Sequence, residues 1–189
     1  ASRAAAPRPK VVVLGDSLTA GLGLATVESI PSILQRRIDE AGLAFEVVNA
    51  GVSGDTSAGG LRRLDWSLEP DARVLIVALG ANDGLRGLSV EEMTRNLSRI
   101  IERALAKGLV VILAGMEAPP NYGPEYAAAF REAYRSLAAR HGVPLVPFLL
   151  AGVAGDSSLN QPDGIHPNAE GTRIVAENVY KAVEPMLKK

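Results

Sequence analysis

Five short apolar runs, each followed by a stretch of helical periodicity, constrain the fold of this chain more than any other feature. The runs are Lys10–Leu14, Phe45–Asn49, Val74–Leu79, Leu109–Ala114 and Pro144–Val146, all rich in Val, Ile and Leu. Short runs without polar alternation are what strands covered on both faces look like. Between them, apolar residues recur at helical spacing: Ile33, Leu34, Ile38 and Ala41; Met93, Leu97, Ile100, Ile101, Ala104 and Leu105; Tyr126, Phe130, Ala133, Tyr134, Leu137 and Ala138. Ala169, Thr172, Val175, Val179, Ala182 and Val183 form a last stripe. Ser89-Val-Glu-Glu92 supplies a capping box, and Gly42 and Gly108 supply stops. Strands alternating with helices predict a doubly wound α/β domain: a parallel sheet of about five strands, helices on both faces, right-handed crossovers.

At 189 residues one domain is expected, and a chain this long buries enough surface to fold without staples. The chain divides into a flexible lead-in over residues 1–9 and one domain over 10–189. It has no cysteine, which removes a thiol nucleophile, a zinc–thiolate site and an iron–sulfur cluster. The net charge is −1 and aromatics are 4%, with no basic stripe, so nucleic acid is not an expected partner. The apolar runs are too short to span a bilayer, so membrane embedding is not expected either. The chain opens on Ala1-Ser-Arg rather than Met and carries no leader-like segment. That start fits either a mature exported protein or a trimmed chain, with a periplasmic or secreted location favoured over a cytoplasmic one.

The strand ends carry the chemistry. The first run breaks at Gly15-Asp16 and delivers Ser17, and in open α/β sheets ligands bind at that carboxyl edge. A serine hydroxyl needs a base, and the chain holds two histidines. His141 precedes Gly142 at a helix end, where an imidazole is expected to cap carbonyls. His166 lies in Gln161-Pro-Asp-Gly-Ile-His-Pro167, a loop at the same edge as Ser17. A lone loop histidine is ordinarily just exposed, but Asp163 three residues earlier can bond its Nδ1–H and turn Nε2 towards the serine. Acyl transfer also needs donors for an oxyanion. The Ser17 amide, the Gly54 amide and the Asn82 side chain are the candidates, although alone Gly54 reads as a turn glycine and Asn82 as an Asx-turn residue. Asp16, Asp55 and Asp83 are left as loop-structuring side chains.

Gly15-Asp-Ser-Leu18, Ser53-Gly-Asp-Thr56, Gly80-Ala-Asn-Asp83 and Asp163-Gly-Ile-His166 together resemble, in order, the four sequence blocks of the GDSL or SGNH hydrolases. The wording is similar to the bacterial arylesterase and acyl-thioesterase/lysophospholipase branch, notably at Val47-Val-Asn-Ala50 and Asn82-Asp-Gly-Leu-Arg-Gly87. The resemblance implies a flavodoxin-like three-layer α/β/α fold and hydrolysis of carboxylic esters, with thioesters and lysophospholipids as further substrates. It implies Ser17 as nucleophile, His166 as base, Asp163 as its orienter, and Ser17, Gly54 and Asn82 as the oxyanion hole. No metal or cofactor is implied, and the expected partner is a small ester.

Leu85, Met116, Pro119, Tyr122 and Ile165 are expected to line an apolar acyl or aryl site. Two rivals use the same segments. A carbohydrate O-deacetylase would share the whole constellation, and a flavodoxin-like phosphate binder would use Gly15–Gly23 as an anion loop. The second lacks a phosphate-loop motif and any basic residue between Val11 and Ser32.

Overall fold

The apolar runs are strands. The computed structural model describes residues 6–189, with β1 (Lys10–Gly15), β2 (Glu46–Gly51), β3 (Ala72–Ala78), β4 (Val110–Ala114) and β5 (Leu145–Val146). All pair in parallel, in the order β2-β1-β3-β4-β5. The helices are α1 (Ser17–Ala20), α2 (Ile30–Glu40), α3 (Ser57–Arg62), α4 (Leu64–Ser67), α5 (Ala81–Leu85), α6 (Val90–Ala106), α7 (Pro124–His141) and α8 (Ala169–Leu187). α2 and α8 pack together on one face, while α3, α6 and α7 form the layer on the other.

Burial explains the pattern. Val11–Leu14 of β1 and Leu75–Val77 of β3 are all but inaccessible, since helices cover both faces of these inner strands. β2 departs from the expectation of a strand covered on both faces: none of its residues is fully buried, and each is half-buried or exposed. It is an edge strand, paired only with β1, and Val47 and Val48 pack against the core from the rim. The expected lead-in falls partly on residues 1–5, which lie outside the described residues. Residues 6–9 form no helix or strand, but the Pro9 carbonyl accepts from the Glu46 amide at 3.0 Å, tying the segment to the start of β2.

The helix stops follow the glycines. Gly142 takes the left-handed conformation, φ 61°, and closes α7 with its own amide. His141 therefore does not cap carbonyls as expected. Its Nε2 lies 2.9 Å from the Oγ of Ser98, so the ring leans onto α6 instead.

β1 has β2 on one side and β3 on the other, so successive crossovers leave it in opposite directions. Beyond the carboxyl ends of β1 and β3 the connections diverge and open a crevice, the usual ligand position in a doubly wound sheet. Ser17 stands at the end of β1 and Asn82 at the end of β3.

Candidate active site

Ser17 is held at the mouth of β1 by a very short turn. The Asp16 carboxylate accepts from the Leu18 amide at 3.0 Å, the N-cap of α1, and the Thr19 hydroxyl donates to the Asp16 carbonyl at 3.1 Å. Gly15 is required here: a Cβ on it would stand 2.1 Å from the Thr19 hydroxyl oxygen. Asp16 itself is buried, and its Oδ2 has no hydrogen-bond partner. Burial pushes its carboxyl up to about 6, against the opposing pull of the Leu18 amide and the nearby His166.

The histidine comes from the long connection between β5 and α8, which has no helix of its own but is densely tied. The Asn160 side chain donates to the carbonyls of Val153 and Asp156, both at 2.8 Å. The Gln161 amide donates to the His166 carbonyl at 2.7 Å, and its side chain donates to the Leu22 carbonyl beside α1. Asn168 caps α8 by accepting from the Gly171 amide at 3.0 Å. Asp163 Oδ1 accepts from the amides of Ile165 and His166, at 2.9 and 3.0 Å. Those bonds, with the imidazole, hold its carboxyl down at about 2.

Ser17 Oγ lies 2.8 Å from His166 Nε2, and His166 Nδ1 lies 2.6 Å from Asp163 Oδ2. An ionised carboxylate only accepts, so Nδ1 carries the proton of the neutral ring and Nε2 presents its lone pair to the hydroxyl. The sequence separation of Ser17 and His166 is 149 residues, and the crevice brings them into one line.

The remaining candidate residues sit opposite. Gly54 adopts φ 82° in the turn between β2 and α3. Asn82 is the second residue of α5, after Gly80 at φ 110°; a Cβ on Gly80 would stand 2.0 Å from the Tyr134 hydroxyl oxygen. The Asn82 side chain donates to the Asp55 carbonyl at 2.8 Å, next to Gly54. Its neighbour Asp83 is buried and accepts from the Ser57 amide and hydroxyl at 2.8 and 2.6 Å, locking α5 to the start of α3.

Ser17, Gly54, Asn82 and His166 line one cavity of about 630 Å³ and form its polar side, while Asp163, Asp55 and Asp83 lie behind its lining. Four of the expected apolar wall residues, Leu85, Met116, Pro119 and Ile165, line it as well. Tyr122 does not. It stands outside the lining, its hydroxyl donating to the Leu85 carbonyl at 3.3 Å and its ring 5.5 Å from that of Tyr126. Leu18, Leu22, Phe148 and Leu150 also line the cavity, and sequence reasoning missed them. Phe148 and Leu150 follow a two-residue strand in a segment with no periodicity, so no pattern marks their direction.

Arg63 was missed for the same reason. It lies between α3 and α4 and reads in sequence as one surface arginine among several, yet its guanidinium turns inward. It donates to Asp55 Oδ2 at 2.6 Å, to the carbonyls of Ala50 and Gly15 at 2.7 and 2.8 Å, and to Ser67 Oγ at 3.3 Å. Among the described residues no group of three or more His, Cys, Asp or Glu side chains gathers as a metal site, and no helix is long and apolar enough to cross a membrane.

Comparison with known proteins gives the arrangement a family. The profile of the GDSL-like lipase/acylhydrolase family matches residues 13–174. The chain is 43% identical to the esterase TesA of Pseudomonas aeruginosa, over 94% of its own length and 89% of that protein's. It is 36% identical to thioesterase 1/protease 1/lysophospholipase L1 of Escherichia coli K12, over 97% and 87% of the two lengths. Among solved structures, the psychrotrophic esterase EstA from Pseudoalteromonas sp., inhibited by monoethylphosphonate, superposes with a TM-score of 0.89 at 34% identity, covering 96% of this chain and all of that one. On a profile match over most of its length and relatives this similar, the chain belongs to the GDSL-like lipase/acylhydrolase family.

Proposed function

We propose that this protein hydrolyses carboxylic esters of apolar acyl or aryl groups through an acyl-enzyme on Ser17. The observation that carries the reading is the hydrogen-bonded line Ser17–His166–Asp163 opening onto an apolar cavity. The ester carbonyl enters between Ser17 and the Gly54–Asn82 side. His166 Nε2 takes the hydroxyl proton as Oγ attacks, and the ionised Asp163 stabilises the imidazolium through Nδ1–H. The amides of Ser17 and Gly54 and the free N–H of the Asn82 side chain hold the tetrahedral oxyanion. Each such donor is worth about 3–4 kcal/mol in other hydrolases. His166 returns its proton to the leaving oxygen, and water then repeats the sequence on the acyl-enzyme.

Thioesters fit the same steps, because the attacked carbon and the developing oxyanion are the same and only the leaving atom differs. The name of the Escherichia coli relative carries both thioesterase and lysophospholipase. A deacetylase of sugar esters is less well matched. The wall formed by Leu18, Met116, Pro119 and Ile165 offers apolar contact and few donors for hydroxyl groups.

The test is hydrolysis of p-nitrophenyl butyrate by the wild type and Ser17→Ala in parallel. The reading expects turnover by the wild type and a loss of about 10⁴-fold or more in kcat for the variant. Full activity in Ser17→Ala, or none in the wild type on any chain length, would remove Ser17 from the reaction.

A further inference from the structure

We infer that Arg63 is a positioning residue for the oxyanion hole, acting on all three of its donors through one guanidinium. The inference rests on the reading of Ser17, Gly54 and Asn82 as those donors. Gly15, whose carbonyl Arg63 holds at 2.8 Å, is two residues before Ser17. Ala50, whose carbonyl it holds at 2.7 Å, is the penultimate residue of β2, the strand that leads into the Gly54 turn. Asp55, whose carboxylate it holds at 2.6 Å, directly follows Gly54. The Asp55 carbonyl in turn accepts from the Asn82 side chain at 2.8 Å. An amide nitrogen has two hydrogens, so this bond aims the second one, and Asn82 lines the cavity.

The geometry asks for arginine rather than a generic cation. Carbonyls from two adjacent strands and a carboxylate match a planar fork with five donors, whereas an ammonium is a point charge. The side chains of Arg63 and Asp55 are 19% and 17% exposed, unlike the chain's surface ion pairs. Space has been left for the contact. A Cβ on Gly59 of α3 would stand 2.0 Å from Asp55 Oδ1, and one on Gly51 would stand 2.5 Å from the Ala20 amide nitrogen. Gly59 thus lets α3 approach the Asp55 carboxylate that Arg63 holds, and Gly51 lets the end of β2 approach α1 behind Ser17.

A displaced donor costs catalysis rather than binding, because the oxyanion exists only after attack. Arg63→Met and Arg63→Lys are therefore compared with the wild type in kcat and KM on p-nitrophenyl butyrate, each also in an Asn82→Ala background. The thermal midpoint of each variant confirms that it is folded, and the lysine variant, which keeps the stem and charge, carries the test if the methionine variant does not fold. The expected result is a kcat lowered by about 10–100-fold in both, with KM within about twofold. Once Asn82 is gone, Arg63→Lys should cost a smaller factor than it does in the wild-type background, because one of the three donors it positions is already lost while Ser17 and Gly54 remain. Wild-type kcat in a folded Arg63→Lys, a rise in KM alone, or losses that multiply fully in the double variant would overturn the inference. An Asn82→Ala variant with unchanged kcat would instead overturn the oxyanion reading, and the inference with it.

Discussion

Two aspartates of this site are pushed in opposite directions by their surroundings, and each makes a separate prediction. Asp163 is held at about 2 by the amides of His166 and Ile165, so it is ionised at neutral pH. In the proposed mechanism it acts through the ring tautomer. Asp163→Asn keeps an oxygen for the two amides but presents N–H to Nδ1, turning the protonated nitrogen towards Ser17. The expected outcome is a kcat lower by about 10³–10⁴-fold with little change in KM, read from steady-state kinetics.

Asp16 is the reverse case. Burial favours its neutral form and lifts its pKa from an ordinary 3.8 to about 6. The stability that the neutral carboxyl contributes is full below the unfolded value and lost as pH rises through the folded one. Asp16→Asn keeps the oxygen that caps Leu18 and cannot ionise. Its stability relative to the wild type should therefore rise by on the order of 2–3 kcal/mol between about pH 3.5 and pH 7.5, measured by denaturant unfolding at both. A constant difference across that range would mean that burial does not shift the Asp16 carboxyl and that it titrates alike in the folded and unfolded chain. Ser17, His166 and Asp163 could be picked out in the sequence because few residue types do this chemistry. The burial of Asp16 and the inward turn of Arg63 could not, since both depend on what the fold stacks above them.

At the scale of elements, loops that carry the reacting groups are fixed by helices whose small residues permit contact. The first turn of α8 lies against the connection that carries Asp163 and His166, and a Cβ on Gly171 would stand 2.1 Å from the Leu159 carbonyl oxygen. Backbone cannot move aside as a side chain can. Gly171→Ala would normally favour a helix by about 1 kcal/mol. Here it should lower both the thermal midpoint and kcat, because the Leu159 carbonyl, which accepts from the Asn168 amide at 3.0 Å, must shift and take the His166 segment with it. A variant more stable than the wild type, with full activity, would contradict this account of the loop.

On the other side, aromatic residues of α7 at helical spacing clamp the Asn82 region. Tyr134 donates to the Leu79 carbonyl at 2.8 Å, and Tyr126 donates to the Leu88 carbonyl at 2.7 Å. The stripe from Tyr126 to Ala138 was legible as a buried helix face, but the hydroxyls at its edge were not legible as supports for β3's loop. Periodicity reports which side of a helix is covered and says nothing about the polar tips of its tyrosines.

For the whole molecule, the arrangement of strands places every loop of interest at one edge, and the cavity there sets what can be hydrolysed. Away from Ser17, Asn82 and His166 its lining is mostly apolar, and its volume is about 630 Å³. Each methylene of an acyl chain that leaves water is worth about 0.8 kcal/mol, or roughly fourfold in kcat/KM. A p-nitrophenyl ester series should therefore climb by up to about that factor per carbon from acetate and then level off as the cavity fills. A fall beyond acetate would favour a deacetylase. The doubly wound class and the strand runs were legible from alternation alone. The half-buried edge strand β2 was not, because a Val-rich run looks the same whether one neighbour or two pairs with it.

The central claim, that Ser17 is the nucleophile of this constellation, is tested most directly by covalent trapping. The wild type and Ser17→Ala are treated with a p-nitrophenyl alkylphosphonate ester, and the intact mass and the labelled peptide are read by mass spectrometry. The account predicts one phosphonyl group per chain, located on Ser17, loss of esterase activity in proportion to labelling, and no adduct on Ser17→Ala. An adduct on another residue that abolishes activity, or stoichiometric labelling of Ser17 that leaves ester hydrolysis intact, would contradict it.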